Sequence, residues 1–209
     1  MEDVLDVYEM PYDAAYPVVC MDEKPYQLLG DARESLPMRP GDDMKADYEY
    51  VREGTCSIFA FTEPLGGVRY VSVREQRTAV DWAQEIKHLA DVQYPDAVKI
   101  ILVMDNLNTH VVASLYKAFP PEEARRIAKR LEVHYTPKHG SWLNMCEIEL
   151  NVMTRQCLSR RIDNIETLRT ELAVWENNRN AGGATINWQF RTKDSRVKLI
   201  SLYPKLSSN

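Results

Sequence analysis

The stretch Ile100-Ile101-Leu102-Val103-Met104-Asp105 decides the fold, because it is an uninterrupted apolar run that ends in an acid. A second stretch, Val18-Val19-Cys20-Met21-Asp22, has the same form. Short, near-continuous apolar runs are typical of strands at the centre of a sheet, where both faces are buried. Open α/β sheets bind their ligands beyond the carboxyl ends of such strands. The two runs therefore predict that Asp22 and Asp105 lie at one edge of a buried sheet.

Length and composition bound the class of protein. The chain has 209 residues, of which 44% are apolar and 27% charged, as expected of one globular domain with at most a small appendage. The formal net charge is −5, so any contact with nucleic acid has to come from local basic surface. No stretch approaches the length of a membrane span, and the acidic start, Met1-Glu2-Asp3-Val4, is unlike a signal peptide. We therefore expect no membrane partner.

The cysteine pattern favours core residues over a metal site. Cys20, Cys56, Cys146 and Cys157 form no Cys-x-x-Cys pair, so the spacing does not favour zinc. Three of them lie within apolar patterns, where a free thiol behaves as a small core residue. Free core thiols are typical of a reducing compartment, which predicts a cytoplasmic protein.

Periodicity and turn residues predict the order of the elements. In chain order they are a lead-in over 1–16, a strand over 17–22, a loop over 31–48, two strands over 55–62 and 68–73 around Gly66-Gly67, a helix over 79–92, the strand that ends at Asp105, helices over 109–119 and 121–130, a strand over 131–135, a helix over 141–158 with Ser141 as N-cap, a helix over 165–177 and a short helix over 191–202.

This order is that of a ribonuclease H-like fold, the retroviral integrase-like arrangement. It is an α/β fold with a mixed sheet flanked by helices. In it the strands that end at Asp22 and Asp105 are parallel neighbours, and the helix after the last strand brings a further acid to the same edge. We expect a lead-in segment over 1–16, the catalytic domain over 17–180 and a tail with a short helix over 181–209.

Three carboxylates at one sheet edge predict a metal site. They would repel one another unless a cation joined them, and hard oxygen ligands suit Mg²⁺ or Mn²⁺. Two such ions, about 3.5–4 Å apart, would serve phosphoryl transfer. Asp also ends strands for conformational reasons alone, so the pattern leaves that alternative open for Asp22 and Asp105. Glu147 and Glu149 both border the apolar stripe of their helix, and periodicity does not choose between them, or between a site acid and a solvated one.

Several other polar residues are candidates with an equally simple alternative. Glu23 adjoins Asp22 but alternates to the other side of the strand, so a supporting or structural role is expected. His110 follows Asp105 by five residues, either as a structural residue at a helix start or as part of the site. The basic residues Arg155, Arg160 and Arg161 could meet phosphates or form a solvated face. Tryptophans at 142, 175 and 188 are interpreted as core or stacking anchors, not as readers of bases.

At these residues the chain resembles a DDE transposase of the mariner superfamily, in its bacterial insertion-sequence branch. Several motifs in the same order make the resemblance specific, and it extends over nearly the whole chain. The matching segments are Val19-Cys20-Met21-Asp22-Glu23-Lys24, Tyr50-Val51-Arg52-Glu53-Gly54-Thr55, Val103-Met104-Asp105-Asn106-Leu107-Asn108-Thr109-His110, residues 135–147 and Ile186-Asn187-Trp188-Gln189-Phe190.

The resemblance implies Asp22, Asp105 and Glu147 as the catalytic, metal-binding triad, since the family's glutamate follows a Leu-Asn pair at the spacing seen here. It implies Mg²⁺ or Mn²⁺, as two ions, and DNA as partner, both transposon ends and target. The family cuts DNA with activated water, and the freed 3′-hydroxyl then attacks the target strand. A homodimer acting on DNA in the cytoplasm, at the nucleoid, follows. The residues expected to support the site are Glu23, Arg52, Asn106, His110 and Asn144, and those expected to contact nucleic acid are Lys138, His139, Arg155, Arg160 and Arg161.

One departure from the family affects the expected activity. Members carry N-terminal helix-turn-helix domains, whereas here the first catalytic strand is predicted near residue 17. We therefore expect a truncated reading frame, a remnant or one half of a split product that binds DNA weakly and without end specificity. The alternatives to a transposase are a metal-dependent nuclease of the same fold and a non-catalytic DNA- or partner-binding remnant.

Overall fold

The computed structural model describes residues 1–32, 49–138 and 140–203, so most of the loop predicted over 31–48, and His139, lie outside the described residues. The helices and strands are α1 Glu2–Tyr8, β1 Val18–Asp31, β2 Tyr50–Glu63, β3 Val68–Arg74, α2 Ala79–His88, β4 Ile100–Met104, α3 Leu115–Ala118, α4 Pro121–Lys129, β5 Leu131–Tyr135, α5 Cys146–Gln156, α6 Ile165–Ala181 and α7 Thr192–Lys198.

The strands form one mixed sheet in the order β3-β2-β1-β4-β5. β1, β2 and β3 are antiparallel neighbours, whereas β4 runs parallel to both β1 and β5. This confirms the predicted ribonuclease H-like, mixed α/β fold. It also confirms that the two apolar strands are parallel neighbours at the centre of the sheet.

Both faces of the sheet are covered, which explains why its central strands have continuous apolar sequence. In β4, Ile101 and Val103 belong to one hydrophobic core, and Leu102 and Met104 belong to the other. The first core lies under α1, α5 and α6, and the second lies under α2 and α4. Successive side chains of a strand point to opposite faces, so a strand buried on both sides needs an apolar residue at every position.

The helix predicted over 141–158 is wrong at its start. Ser141–Leu143 is a single 3-10 turn, Asn144 has an extended backbone, and α5 begins only at Cys146. Ser141 is therefore not the N-cap of this helix. The break arises because the side chain of Asn144 bonds to the carbonyl of Met21 in β1, a tertiary contact that periodicity does not encode.

Three other predicted boundaries also differ. β1 extends to Asp31 and β2 begins at Tyr50, because the two strands pair along this whole length although the segment Lys24-Pro25-Tyr26-Gln27 interrupts the apolar run. The helix predicted over 109–119 is reduced to a 3-10 turn at Val112–Ser114 followed by the short α3.

The two ends of the chain pack against each other. Val4 and Leu5 of α1 are fully buried, and Glu2 forms a two-point ion pair with Arg196 of α7. The predicted division at residues 16 and 180 stays a prediction. All four cysteines are buried and free, whereas the sequence predicted three of them as core residues. Among the described helices, not one combines the length and apolar character needed to cross a membrane.

Candidate active site

The register of the parallel pair brings Asp22 and Asp105 to the same sheet edge. Cys20 of β1 lies opposite Val103 of β4, which is the last pair of that ladder. Asp22 and Asp105 each follow two residues later, so they occupy matching positions just past the last pair of this ladder, although β1 itself continues along β2. Parallel strands have their carboxyl ends at one edge, and this register places the two acids side by side there.

Asn144 holds Asp22 and joins β1 to α5. Its Nδ2 donates to the carbonyl oxygen of Met21 at 2.8 Å and to Oδ2 of Asp22 at 3.3 Å. Its Oδ1 accepts the backbone N–H of Cys146, the first residue of α5, at 3.1 Å. The backbone N–H of Glu23 donates to the other oxygen of Asp22 at 2.8 Å. Both carboxylate oxygens of Asp22 are therefore oriented.

Asp22 lies in a strongly negative environment. Burial raises its pKa to about 7, opposed by the hydrogen bond from the N–H of Glu23 and reinforced by the negative charges of Glu147 and Asp105. The charges of these three acids therefore act on one another across a small volume. An uncompensated cluster of this kind is what a divalent cation relieves.

The structure separates the two glutamates that periodicity left open. Glu147, in the first turn of α5, lines a pocket together with Asp22 and Lys24. Glu149 is instead buried in an ion pair with Arg69, at 2.7 Å, and with Arg179, at 3.0 Å. Burial alone would raise the pKa of Glu149, but the hydrogen bonds from Arg179 and Arg69 hold it below its ordinary value. Glu147 therefore faces the site, whereas the carboxylate of Glu149 is bonded to two arginines in the core.

His110 connects Asp105 to Glu23. Its Nδ1 lies 2.7 Å from Oδ1 of Asp105 and its Nε2 lies 2.8 Å from Oε1 of Glu23. Burial alone would lower the pKa of His110, but the hydrogen bonds to Asp105 and Glu23 raise it to about 9. At neutral pH the ring is therefore protonated and donates to both carboxylates. One oxygen of Asp105 is held in this way, which leaves the other for a ligand.

The chemistry of this donor set fits a hard divalent cation. Asp22, Asp105 and Glu147 supply only oxygen atoms, and their mutual repulsion favours a bound positive charge. Within the part of the chain that the structure describes, no three side chains of His, Cys, Asp or Glu are already close enough to enclose an ion. The three carboxylates are therefore suitable metal ligands and lie near one another. Their side chains must change conformation before all three can contact one ion.

Of the other predicted site residues, some line a pocket with Asp105 or are exposed on α5, and others lie away from the carboxylates. Asn106 and the exposed Lys138 line a second pocket with Asp105, and Arg155 is exposed on α5. Arg52 pairs with Leu29, seven residues beyond Asp22 in β1, so the structure does not bring it to the carboxylates. Arg160 and Arg161 form ion pairs with Glu171 and Asp31, the latter at the same far end of β1. His139 lies outside the described residues.

Two residues at the site were missed by the sequence analysis. Trp82 of α2 is fully buried with its ring stacked on His110, at 6.1 Å between ring centroids. The hydroxyl of Tyr8 in α1 donates to the carbonyl of Leu143, at 2.7 Å, next to Asn144. The spacing of Trp82 predicts only a core residue, and Tyr8 lies far away in sequence, so no local signal identifies either one.

Comparisons with known proteins give one family and one group of structures. Residues 17–169 match the family model described as DDE superfamily endonuclease. Comparison with curated proteins gives no match. The solved structures include the Mos1 mariner paired end complex with Mn, at 17% identity and a TM-score of 0.57 over 86% of this chain and 54% of that one.

Two further structures give the same fold. The Mos1 strand transfer complex has 16% identity and a TM-score of 0.56, over 88% of this chain and 56% of that one. The catalytic domain of Mos1 mariner transposase has 13% identity and a TM-score of 0.50, over 81% and 76%. The chain therefore spans about half the length of the Mos1 chains in the complexes.

Proposed function

Because the chain belongs to the family of DDE superfamily endonucleases, we propose that it is the catalytic domain of a transposase, of the bacterial insertion-sequence branch of the mariner superfamily. In this proposal, residues 17–180 form the domain that cuts DNA at transposon ends and joins the freed strand to target DNA. The observation that carries the proposal is the matched register of Asp22 and Asp105, with Glu147 on the same pocket as Asp22.

We propose that Asp22, Asp105 and Glu147 hold two ions of Mg²⁺ or Mn²⁺. When bound, such ions activate the attacking oxygen and stabilise the leaving oxygen of an in-line displacement. The buried, mutually repelling carboxylates support this assignment, since the pKa of Asp22 is raised to about 7 by burial and then by its acidic neighbours. A Mos1 structure described as a complex with Mn supports the choice of a divalent cation.

The surrounding residues position the triad. Asn144 orients Asp22 through its amide group, and His110 with Glu23 orients Asp105. Such partners behind the metal ligands are expected to raise metal affinity, because they fix the direction of the ligand oxygens. Asn106 and Lys138 line the pocket of Asp105, where a cationic side chain favours a DNA phosphate. The exposed Arg155 and, from the sequence alone, His139 are further proposed contacts to DNA.

The proposed partners are DNA at transposon ends, target DNA and a second copy of the chain. The similar Mos1 structures are described as a paired-end complex and a strand transfer complex, which supports DNA as the partner. Pairing of two ends favours a homodimer, and we propose action on DNA in the cytoplasm, at the nucleoid.

The decisive experiment is Mn²⁺-dependent nicking of supercoiled plasmid by the purified chain beside Asp105→Asn. Nicking that Asp105→Asn abolishes, and that Asp96→Asn leaves intact, is the expected result, because Asp96 is an exposed aspartate in a turn. A labelled duplex with a free 3′-hydroxyl, added to the same reaction, then separates transposase from nuclease. Joined product supports the transposase, and nicking without joining supports a nuclease.

A non-catalytic remnant that binds DNA or a partner is the second candidate. The observation that favours it is that the described carboxylates do not already enclose an ion position. Calorimetric titration of the chain with Mn²⁺ discriminates the two. Binding that is lost in Asp105→Asn supports the enzyme, while no binding together with no nicking supports the remnant.

A further inference from the structure

Trp142 differs from the other described tryptophans in its exposure. Its residue surface is 46% exposed, whereas Trp82 is fully buried and Trp175 is 7% exposed. Trp188, which is partly buried, packs edge-on against Tyr8. An exposed indole offers a large, flat apolar surface on which another ring can stack. Of the two expected roles, core residue and stacking anchor, the exposure of Trp142 therefore excludes the core.

Hydrogen bonds and aromatic contacts hold the turn that carries Trp142. This residue belongs to the 3-10 turn Ser141–Leu143, and the carbonyl of Leu143 accepts the hydroxyl of Tyr8 at 2.7 Å. The ring system of Trp142 makes a T-shaped contact with Phe190, at 5.6 Å between centroids and 76° between planes. The carbonyl of Phe190 in turn accepts the indole N–H of Trp188 at 2.6 Å. These contacts support the indole, and its exposure shows that part of its surface stays open.

The turn that carries Trp142 is part of the site. Ser141 lines the pocket of Asp105, and Asn144 bonds to Asp22. Two cations belong to the same region. Lys198 has its ammonium group 5.8 Å from the ring centroid of Phe190, and the exposed Lys138 lines the pocket of Asp105 together with Ser141, the neighbour of Trp142. An open π-surface in a region with positive charge, next to the carboxylates, is complementary to a base with its phosphates.

We propose that the open face of Trp142 is a stacking site for an unpaired nucleobase at the DNA strand end held by the triad. The proposal rests on the proposed function and deepens it by assigning a contact to the bases. Stacking of this type is independent of base identity, because every base has a π-face. Trp142 would thus hold the strand end in place without reading its sequence.

The test uses a duplex whose short unpaired 3′ overhang contains 2-aminopurine, with no divalent ion added. The wild-type chain is expected to quench the fluorescence and to prefer the overhang duplex to a blunt one. Trp142→Leu should lose the quenching and about tenfold in affinity for the overhang duplex only, whereas Trp142→Phe should keep most of both. Thermal melts of the variants confirm that they remain folded.

Tyr50→Leu is the matched control. Tyr50 is 48% exposed and lies beside Arg161, but it pairs with Asp31 at the far end of β1 from Asp22. It is therefore a similarly exposed aromatic side chain beside a cation, away from the carboxylates. Unchanged quenching and preference in Tyr50→Leu are expected.

Four outcomes would overturn the stacking site. They are unchanged quenching in Trp142→Leu, equal weakening of the blunt and overhang duplexes, no DNA binding by the wild-type chain, and a changed oligomeric state in Trp142→Leu with quenching intact. The last would assign this face to a protein contact.

Nicking measured on the same proteins separates the two proposals. Quenching without nicking keeps the stacking site and rejects the proposed enzyme, whereas nicking and joining without quenching keep the transposase and reject the stacking site.

Discussion

Asp22 is a residue whose position suits metal binding but disfavours its charge in the metal-free protein. It is largely buried and close to Glu147 and Asp105, so its charged form is disfavoured in the metal-free protein. Asn144 and the N–H of Glu23 hold its oxygens, but both are neutral donors and do not cancel its charge. Function and stability therefore oppose each other at this position.

Asp22→Asn is expected to stabilise the metal-free protein at pH 8. The amide keeps an acceptor and removes the buried charge, and each kcal/mol gained raises the melting midpoint of a domain of this size by about 2–4 °C. The same variant should lose any stabilisation by Mn²⁺, because a ligand is gone. Thermal melts with and without Mn²⁺ measure both effects, with Asp96→Asn as the exposed control. A lower midpoint without metal would show that the buried charge of Asp22 does not destabilise the folded protein.

His110→Ala is expected to weaken Mn²⁺ binding about 10- to 100-fold. The substitution removes the donor that holds Asp105 and leaves the carboxylate of Glu23 buried without its partner. Calorimetric titration gives the affinity directly. His110→Asn, which can keep a donor near the Nδ1 position, should recover part of the loss. If His110→Ala binds Mn²⁺ as tightly as the wild-type chain, His110 does not orient Asp105.

At the scale of elements, α5 links the site to the core. Glu147 and Glu149 are two residues apart, which on a helix of 3.6 residues per turn turns them to different sides. Glu149 is anchored by Arg69 of β3 and Arg179 of α6, while Glu147 faces the pocket of Asp22. The thiol of Cys146 adds a hydrogen bond to the carbonyl of Ala60. The buried ion pair therefore sets the rotation of α5 and with it the direction of Glu147.

Glu149→Gln is expected to lower the free energy of unfolding at pH 7 by about 3–5 kcal/mol, because it leaves the charge of Arg69 buried and unbalanced. Urea unfolding measures this. Glu166→Gln is the matched control in the neighbouring helix, because its pair with Arg169 is exposed, and less than about 1 kcal/mol is expected.

The pH dependence of the Glu149 pair has a defined sign. The folded-state pKa of Glu149 lies below its ordinary value of 4.5, so its contribution is present above that pH and is lost as the pH falls through the folded pKa. The difference in unfolding free energy between the wild-type chain and Glu149→Gln should therefore shrink below about pH 4.5. A difference that stays constant down to pH 3 would contradict the ion pair.

At the scale of the whole molecule, α1 near the start of the chain contacts α7 near its end. α1 also contacts the turn beside the site. α1 places Val4 and Leu5 in the interior, and its Tyr8 hydroxyl holds the turn that precedes Asn144. α7 contacts α1 through Arg196 and Glu2 and through Thr192 and Asp6. Residues 1–16, expected to be a lead-in, therefore support the geometry of the carboxylates.

Leu5→Ala is expected to cost about 2–5 kcal/mol of unfolding free energy, the usual range for truncating a fully buried leucine. Arg196→Ala is the matched control, because its ion pair with Glu2 is exposed, and no measurable change is expected. Chemical denaturation of the two variants makes the comparison. Equal stability of Leu5→Ala and the wild-type chain would mean that α1 is not part of the folded core.

The sequence by itself determined the two apolar stretches at the centre of the sheet and the acids that follow them, because a segment buried on both faces must be apolar at every position. It did not determine where β1 ends, because pairing with β2 carries that strand on to Asp31. Only the tertiary structure decided which glutamate faces Asp22, where α5 begins and how His110 reaches Glu23. These features depend on Arg69, Arg179, Asn144 and Trp82, which act across long separations in sequence. Periodicity indicates which side of an element is buried, but packing decides which partner lies against that side.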